Sequence, residues 1–326
     1  MEYVGIQKQR QRNNMRSLCL LVLFPCLMAG LVYLACFLLA NSTAWMSNDE
    51  EQSAYSGQTI NLLFVTVLPY VLGGVALWFV IAWFSHTAII SHATGSQPLE
   101  RRENKRVYNL VENLCMSQGM SMPAVNVIND DSLNAFAGGI NNRTYSVTLT
   151  TGIISKLDDE ELEAVIAHEL THIRNRDVRV LIISIVFVGI LSVLAQSGFR
   201  ILRHMPLGGG GRKKNNGGGI FFIILIVAIV AAIGYLFASL MRFAISKQRE
   251  YLADAGAAQM TRRPWALASA LRKIASDPLV EAIERKDVAQ LFIEDPKDAS
   301  LRSGNLFGLF STHPPIAKRI AILEQF

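Results

Sequence analysis

Two histidines and a glutamate stand close together in the sequence, with a spacing that suits metal-dependent hydrolysis. The pattern His-Glu-x-x-His covers residues 168–172. On an α-helix, residues four apart share one face, so His168 and His172 can bind a single tetrahedral ion. Glu169 lies beside them, where a carboxylate can act as a general base. The pattern predicts a hydrolytic zinc site, and the alternative is two surface histidines with this spacing by chance.

The residues around this pattern favour an amphipathic helix. Asp158 can act as the N-cap, and Glu161, three residues later, completes a capping box. An apolar stripe continues beside the histidines and consists of Leu162, Val165, Ile166 and Ile173. Such a stripe turns the face that bears the histidines toward the protein interior.

A catalytic zinc site needs a third protein ligand and one open position. The metzincin continuation would place Gly at 175 and His at 178, but the chain has Asn175 and Val178 there. We therefore expect the third ligand from a later helix, where Glu250 and Asp254 lie one turn apart among small residues. From this spacing we predict that Glu250 is the third ligand and that Asp254 is the hydrogen-bond acceptor that orients a ligand histidine. The alternative is an ordinary solvated carboxylate pair.

Long apolar runs must position these residues. In 326 residues the chain is 51% hydrophobic and only 17% charged, which excludes disordered, collagen-like and disulfide-rich secreted proteins. Four runs are close to the roughly 20 residues that about 30 Å of hydrocarbon requires. They cover residues 17–40, 60–84, 180–199 and 220–241. The first run is too long for a removable signal peptide, so we expect it to remain as an anchor.

Charge indicates how the runs cross the bilayer. The N-terminal stretch contains four basic residues and one acid: Lys8, Arg10, Arg12, Arg16 and Glu2. The loop after the first run contains Asp49, Glu50 and Glu51 without Lys or Arg, so the positive-inside rule places the N-terminus in the cytosol. The basic loop between the third and fourth runs violates this rule. We favour two crossings there, and the alternative is a buried hairpin with a flexible connector at 208–219.

The predicted fold class is mainly α: a polytopic membrane protein with about four transmembrane helices and a cytosolic α+β zincin-like catalytic domain with a small sheet. Short strands are expected around residues 125–128, 135–136 and 145–149. The expected regions are a cytosolic N-terminus (1–16), two transmembrane helices with a short external loop (17–85), a first catalytic part (86–179), an apolar hairpin (180–241) and a second catalytic part (242–326). The formal charge of +5 reflects span orientation, and we expect no nucleic-acid partner.

Four motifs in order resemble the HtpX-type membrane zinc endopeptidases, gluzincins related to the CAAX prenyl proteases. The motifs are Asn-Ala-Phe-Ala at 134–137, His-Glu-Leu-Thr-His at 168–172 with Asn-Arg-Asp at 175–177, Arg-Glu-Tyr at 249–251 with Ala-Asp-Ala at 253–255, and Ser-Thr-His-Pro-Pro at 311–315 with Arg319. The resemblance covers about residues 101–326. It implies one Zn²⁺ per chain, bound by His168, His172 and Glu250, with Glu169 as the catalytic base.

The same resemblance implies further site residues. His313 and Arg319 would donate to the oxyanion formed during peptide hydrolysis, although His313 could instead only cap a helix. A sheet edge would accept a substrate strand through main-chain hydrogen bonds, and the alternative is a plain core strand. This edge consists of Asn134, Ala135, Phe136 and Ala137.

The expected function is an endopeptidase of the bacterial inner membrane that cleaves cytosolic segments of misfolded or damaged membrane proteins. Glu250 lies about 12 Å beyond the fourth run at 1.5 Å per helical residue, so we expect the zinc near the headgroups. The partners are the lipid bilayer and membrane-protein substrates. One alternative is a processing protease for lipidated C-termini, whose known members have more spans. Another is a non-hydrolytic metal-binding membrane scaffold, which leaves Glu169 unexplained.

Overall fold

The computed structural model describes residues 6–46, 51–204, 217–275, 292–293 and 314–326. The helices in these ranges are α1 (Ile6–Met46), α2 (Glu51–Thr94), α3 (Lys105–Ser117), α4 (Thr151–Lys156), α5 (Asp159–Asn175), α6 (Asp177–His204), α7 (Gly217–Thr261), α8 (Pro264–Ile274) and α9 (Ile316–Leu323). The strands are β1 (Gln97–Pro98), β2 (Ala124–Ile128), β3 (Ala135–Gly138) and β4 (Ser146–Thr150). The predicted mainly helical fold with a small sheet is therefore confirmed.

The four strands form one mixed sheet in the order β1-β2-β4-β3. The central pair, β2 and β4, is parallel, while β1 and β3 pair antiparallel at the two edges. A tight turn joins β3 to β4 and needs glycine at position 139, where φ is +97°. A Cβ atom there would lie 2.2 Å from the carbonyl oxygen of Thr144. This turn leaves β3 at the edge of the sheet.

The sequence of α5 determines where this helix begins and ends. The predicted capping box is present: Asp158 accepts from the backbone N–H of Glu161 at 2.9 Å, and Glu161 accepts from that of Asp158 at 3.0 Å. The helix ends at Arg176, whose φ of 61° is left-handed. Because α6 begins at the next residue, Asp177 turns back toward the last turn of α5.

Contacts divide the described chain into two compact units. The first contains Met1–Ser17, Phe84–Ile185 and Met241–Phe326, and it holds the sheet together with α3, α4, α5, α8 and α9. In this unit α5 packs against α3, α8 and the sheet. Its core is fully buried and includes Val147, Leu149, Leu162, Ile166, Leu267 and Leu271. Helix α5 is therefore held rigidly on several sides.

The second unit contains Leu18–Trp83 and Val186–Leu240, whose described residues are all helical. Phe24 stacks on Phe187 with ring centroids 4.1 Å apart. The outer surface carries many large apolar side chains, such as Leu62 and Tyr70, which are 71% and 79% exposed. Such a surface is stable against lipid tails and unfavourable in water.

Three described helices are long and apolar enough to cross a membrane: Gln11–Ala40, Gln58–Thr94 and Asp177–His204. The fourth predicted run, 220–241, lies wholly within helix α7, where the apolar stretch among the described residues is Ile224–Leu236; its crossing of the membrane stays a prediction. The connector predicted at 208–219 lies mostly outside the described residues.

The sequence missed two short elements, β1 and α4. Strand β1 has only two residues, and α4 follows β4 without an intervening loop. Neither is long enough to produce a periodic pattern in the sequence.

Candidate metal centre

Three side chains from two helices converge in the first unit. His168 and His172 from α5 and Glu250 from α7 each offer one ligand atom, and these atoms all lie within 4.8 Å of one another. We call these three residues the His-His-Glu cluster. His168 and Glu250 are buried, and His172 is partly buried. The structure thus brings together the three ligands predicted from the sequence.

The spacing of these atoms fits a single metal ion. The two Nε2 atoms are 3.2 Å apart; that of His168 lies 3.6 Å from Oε2 of Glu250, and that of His172 lies 3.6 Å from Oε1. Tetrahedral ligands at about 2.0–2.2 Å from zinc are separated by about 3.3–3.6 Å. Two imidazoles and one carboxylate also form a ligand set found in catalytic zinc sites, where a fourth position is left open.

A carboxylate and a guanidinium support His168 from behind. Asp254 Oδ1 lies 3.0 Å from His168 Nδ1, so Nε2 is turned toward Glu250. Arg319 in turn holds Asp254 through two donors, Nε at 2.9 Å and Nη2 at 2.7 Å. Burial raises the pKa of Asp254, but Arg319 outweighs burial and keeps that pKa below its ordinary value. Asp254 is therefore a carboxylate at neutral pH.

The negative groups around His168 favour positive charge. Burial lowers the pKa of His168, but hydrogen bonds to Asp254 and Glu250 outweigh it and raise the pKa to about 9. A bound metal ion would supply positive charge to the same surroundings. The electrostatics of the cluster therefore agree with its geometry.

His172 has a carboxylate behind it as well, and the sequence did not predict this role. Asp177 Oδ2 lies 3.2 Å from His172 Nδ1, and Asp177 is 2% exposed. The left-handed residue Arg176 makes the tight turn that places Asp177 there. A sequence signal existed, because an acid stands five residues after the second histidine at the start of the next helix.

Glu169 is buried on the same helix at 2% exposure. Burial raises the pKa of its carboxyl group, and the neighbouring imidazoles of His168 and His172 only partly offset this, so the pKa lies above its ordinary value. A carboxylate with a raised pKa is better suited to accept a proton near neutral pH than an exposed one.

The close approach of α7 to α5 depends on a small residue. A Cβ atom on Gly256 would lie 2.4 Å from Thr171 Cγ2. Thr171 cannot easily move away, because its hydroxyl donates to the carbonyl of Ala167 at 2.8 Å. Small residues around Glu250 thus allow the two helices to come together, as the sequence suggested.

The predicted substrate edge, 134–137, overlaps strand β3 (Ala135–Gly138), and all residues of β3 are buried. Asn134 is fully buried; its carbonyl accepts from Thr150 N, and its side chain caps the N–H of Ala135. Because main-chain groups alternate sides along a strand, Ala135 and Ala137 face away from β4. The carbonyl of Ala135 already accepts from the N–H of Ile293 at 2.9 Å.

The last sequence motif lies partly outside the described residues. His313 is not described, so its predicted role as an oxyanion donor stays a prediction. Arg319 is fully buried, and its Nη1 lies 3.8 Å from Glu250 Oε2 in addition to its contacts with Asp254. The structure thus gives Arg319 a carboxylate partner that the sequence did not predict.

Comparison with known proteins finds relatives of this chain. Residues 101–326 match the family model of Peptidase family M48. A protein named Protease HtpX homolog from Bacteroides fragilis is 61% identical over 328 residues, with both chains covered completely. A Protease HtpX homolog from Streptococcus mutans is 38% identical over 268 residues, which cover 79% of this chain and 88% of the relative.

One solved structure also matches, at low sequence identity. The crystal structure of S. mikatae Ste24p matches with a TM-score of 0.46 and 18% identity, and the match covers 80% of this chain. This chain spans 58% of the length of that structure. The family model and the full-length relatives show that the protein is a membrane metalloprotease and that the chain belongs to peptidase family M48.

Proposed function

We propose that this metalloprotease is a zinc endopeptidase with one Zn²⁺ per chain, and that it cleaves exposed cytosolic segments of misfolded or damaged membrane proteins. The observation that carries the proposal is the His-His-Glu cluster, with three ligand atoms within 4.8 Å and a buried glutamate beside them. A metal-binding scaffold would not need Glu169.

Each residue of the centre has a separate role in this proposal. His168, His172 and Glu250 would hold the ion, which would act as a Lewis acid toward a peptide carbonyl and lower the pKa of a bound water toward neutrality. Glu169 accepts a proton from the attacking water. It then donates this proton to the leaving amine as the C–N bond breaks, a contribution of about 10²- to 10⁴-fold.

Arg319 stabilises the centre through Asp254. Its guanidinium donates to both oxygens of Asp254, and Asp254 faces the imidazole of His168. This contact supports a positioning role for Arg319. Donation by Arg319 to the oxyanion of a substrate stays a prediction, and the same holds for His313.

Strand β3 is the proposed docking site for the substrate backbone. Its outer edge presents the N–H and C=O groups of Ala137, which face away from β4. An extended substrate can add to such an edge through main-chain hydrogen bonds. This binding mode suits a protease that acts on unfolded segments, because the enzyme then recognises the main chain of the substrate rather than particular side chains.

The location of substrates is inferred from chain connectivity. The candidate span Asp177–His204 begins five residues after His172. The basic N-terminal stretch supports a cytosolic orientation in an inner membrane. Substrates held in the same bilayer are therefore concentrated close to the chain segment that carries the centre.

The substitution Glu169→Gln tests the proposal, because it removes the base and keeps the shape of the side chain. We expect zinc content to persist while cleavage of a membrane-protein reporter falls by about 10²- to 10⁴-fold. Glu160→Gln is the matched control, since Glu160 lies on the same helix with its side chain 54% exposed. Zinc is measured by elemental analysis of protein purified in detergent.

Two results would contradict the proposal. Equal cleavage by wild type and Glu169→Gln would exclude this glutamate as the base. Absence of metal from the wild-type protein would exclude the zinc centre itself.

A further inference from the structure

An asparagine of the first helix lies against the metal centre. Asn13 on α1 belongs to the same compact unit as α5 and is fully buried. Its Nδ2 atom donates to Asp177 Oδ1 at 2.5 Å and to the carbonyl oxygen of Asn175 at 2.8 Å. The second oxygen of Asp177 faces His172 Nδ1 at 3.2 Å. A continuous chain of polar contacts thus joins the first helix to the His-His-Glu cluster.

The partners of Asn13 determine the orientation of its amide. Both hydrogens of Nδ2 point at oxygen acceptors, and Oδ1 accepts from Arg16 Nη1 at 3.3 Å. The reversed amide would place its oxygen against a carboxylate and a carbonyl, which is electrostatically unfavourable. Asn13 can therefore act only as a donor toward Asp177.

The two histidines of the cluster have the same kind of support. His168 faces Asp254, which is held by Arg319, and His172 faces Asp177, which is held by Asn13. In each case a nitrogen donor from a distant part of the chain fixes the carboxylate. A carboxylate so fixed selects the histidine tautomer with hydrogen on Nδ1 and turns Nε2 toward the ion.

We propose that Asn13 is a positioning residue of the metal centre, which acts by holding Asp177 in the orientation that directs His172 toward the metal. This inference rests on the proposed zinc function. It assigns the first helix a part in metal binding in addition to its role as a membrane anchor.

The substitution Asn13→Leu tests this inference, since leucine has the same number and branching of side-chain heavy atoms and no donor. We expect the affinity for Zn²⁺, measured in detergent by competition with a chromophoric chelator, to fall by about 10- to 100-fold. Asn14→Ala is the matched control, because Asn14 is exposed and its side chain accepts from Arg176 instead. The control should bind Zn²⁺ like wild type.

A second variant guards against a folding defect. Asn13→Asp keeps the size of the side chain but places a carboxylate against Asp177, so it should also weaken Zn²⁺ binding. In both variants the visible spectrum of the Co²⁺-substituted protein should change, because it reports the geometry around the ion. A purely structural contact would leave that spectrum unchanged, and such a result would overturn the proposal.

A double-mutant cycle shows whether Asn13 acts through Asp177. On an Asp177→Ala background, Asn13→Leu should cause no further loss of Zn²⁺ affinity, whereas independent effects would multiply. Multiplying effects would overturn the proposal, as would wild-type affinity in Asn13→Leu. If wild type binds Zn²⁺ and cleaves its reporter while Asn13→Leu does both equally well, only this inference fails. If wild type binds no Zn²⁺, the proposed function fails with it.

Discussion

Each imidazole of the His-His-Glu cluster is oriented by a carboxylate at its Nδ1 atom. Asp254 and Asp177 come from different helices, and each is more than nine-tenths buried. Buried carboxylates must be paired to remain charged. The partner of Asp254 is a guanidinium with two donors, so this pair is the strongest support at the level of single residues.

The first prediction concerns this pair. Asp254→Asn removes the charge that faces His168 and leaves the fully buried Arg319 against a neutral amide. We expect Zn²⁺ affinity to fall about 10- to 100-fold, and the free energy of unfolding to fall by about 3–5 kcal/mol. Chelator competition and thermal unfolding in detergent measure the two effects.

The control for this prediction is Asp159→Asn. Asp159 is 74% exposed and pairs with Arg106 on the surface. Such pairs contribute about 0–1 kcal/mol, so this variant should keep both its stability and its metal affinity. Similar losses in the two variants would show that the buried pair has no special role.

Local spacing predicted part of this site. The two histidines, Glu169 and the capping box are read from residues within one or two helical turns. The pairing of Asp254 with Arg319 joins residues 65 positions apart, and no local pattern encodes it. Asp177 belongs to one of the sequence motifs, but its contact with His172 could not be predicted, because that contact depends on the left-handed turn at Arg176.

At the level of elements, the centre depends on how closely α5 and α7 approach. Helix α7 passes Thr171 at Gly256, where an added Cβ atom would lie only 2.4 Å from Thr171 Cγ2. Helices can come this close only where one of them lacks a side chain. The distance between Glu250 and the two imidazoles is therefore sensitive to any added volume at this contact.

The second prediction adds that volume. Gly256→Ala should push the helices apart at a cost of about 1–3 kcal/mol, and if this whole cost falls on metal binding, Zn²⁺ affinity drops by about 5- to 150-fold. A double variant, Gly256→Ala with Thr171→Ala, should recover most of the loss, since it removes the methyl group that clashes.

The control is Gly189→Ala on α6, where an added Cβ would have no atom within 4 Å. Alanine is the better helix former, so this variant should keep its metal affinity and be slightly more stable. If Gly256→Ala binds Zn²⁺ as tightly as Gly189→Ala, the close approach does not control the centre.

The third prediction concerns the outer edge of β3. Ala137→Pro removes one main-chain donor at a strand edge, where proline is sterically tolerated. We expect kcat/KM for an unfolded substrate to fall while Zn²⁺ affinity stays unchanged. Ala137→Val keeps the N–H group and should retain activity, and a similar loss in both variants would indicate a steric effect instead.

The sequence predicted the longer elements and missed the shortest. The three strands expected around residues 125–128, 135–136 and 145–149 lie close to the observed β2, β3 and β4. Their apolar periodicity is strong. The sheet order was not predictable from local patterns. Strand β2 pairs in parallel with β4, although β3 lies between them in the chain.

At the level of the whole molecule, the described chain combines a folded unit that contains the centre with a second unit of apolar helices. Three described helices can cross a membrane by length and composition. A continuous apolar run predicted a fourth span. That run lies within the continuous helix α7, and the fourth span stays a prediction.

The fourth prediction follows from the shared bilayer. An unfolded segment tethered to a transmembrane anchor should be cleaved faster than the same segment free in solution, because the tether raises its effective concentration to about the millimolar range. Proteoliposomes with matched amounts of both substrates measure the ratio. Equal rates would exclude membrane proteins as the preferred substrates, and a requirement for a lipidated C-terminus would favour a processing protease.

The centre is assembled from stretches that are far apart in the chain. Asn13 is translated early, the His-His-Glu cluster is complete at position 250, and Arg319 follows 65 residues after Asp254. Until that arginine leaves the ribosome, Asp254 lacks its guanidinium and His168 lacks a fixed orientation. A nascent chain stalled before position 319 should therefore bind Zn²⁺ more weakly than the released protein, and this delay would keep newly made copies inactive while they enter the bilayer.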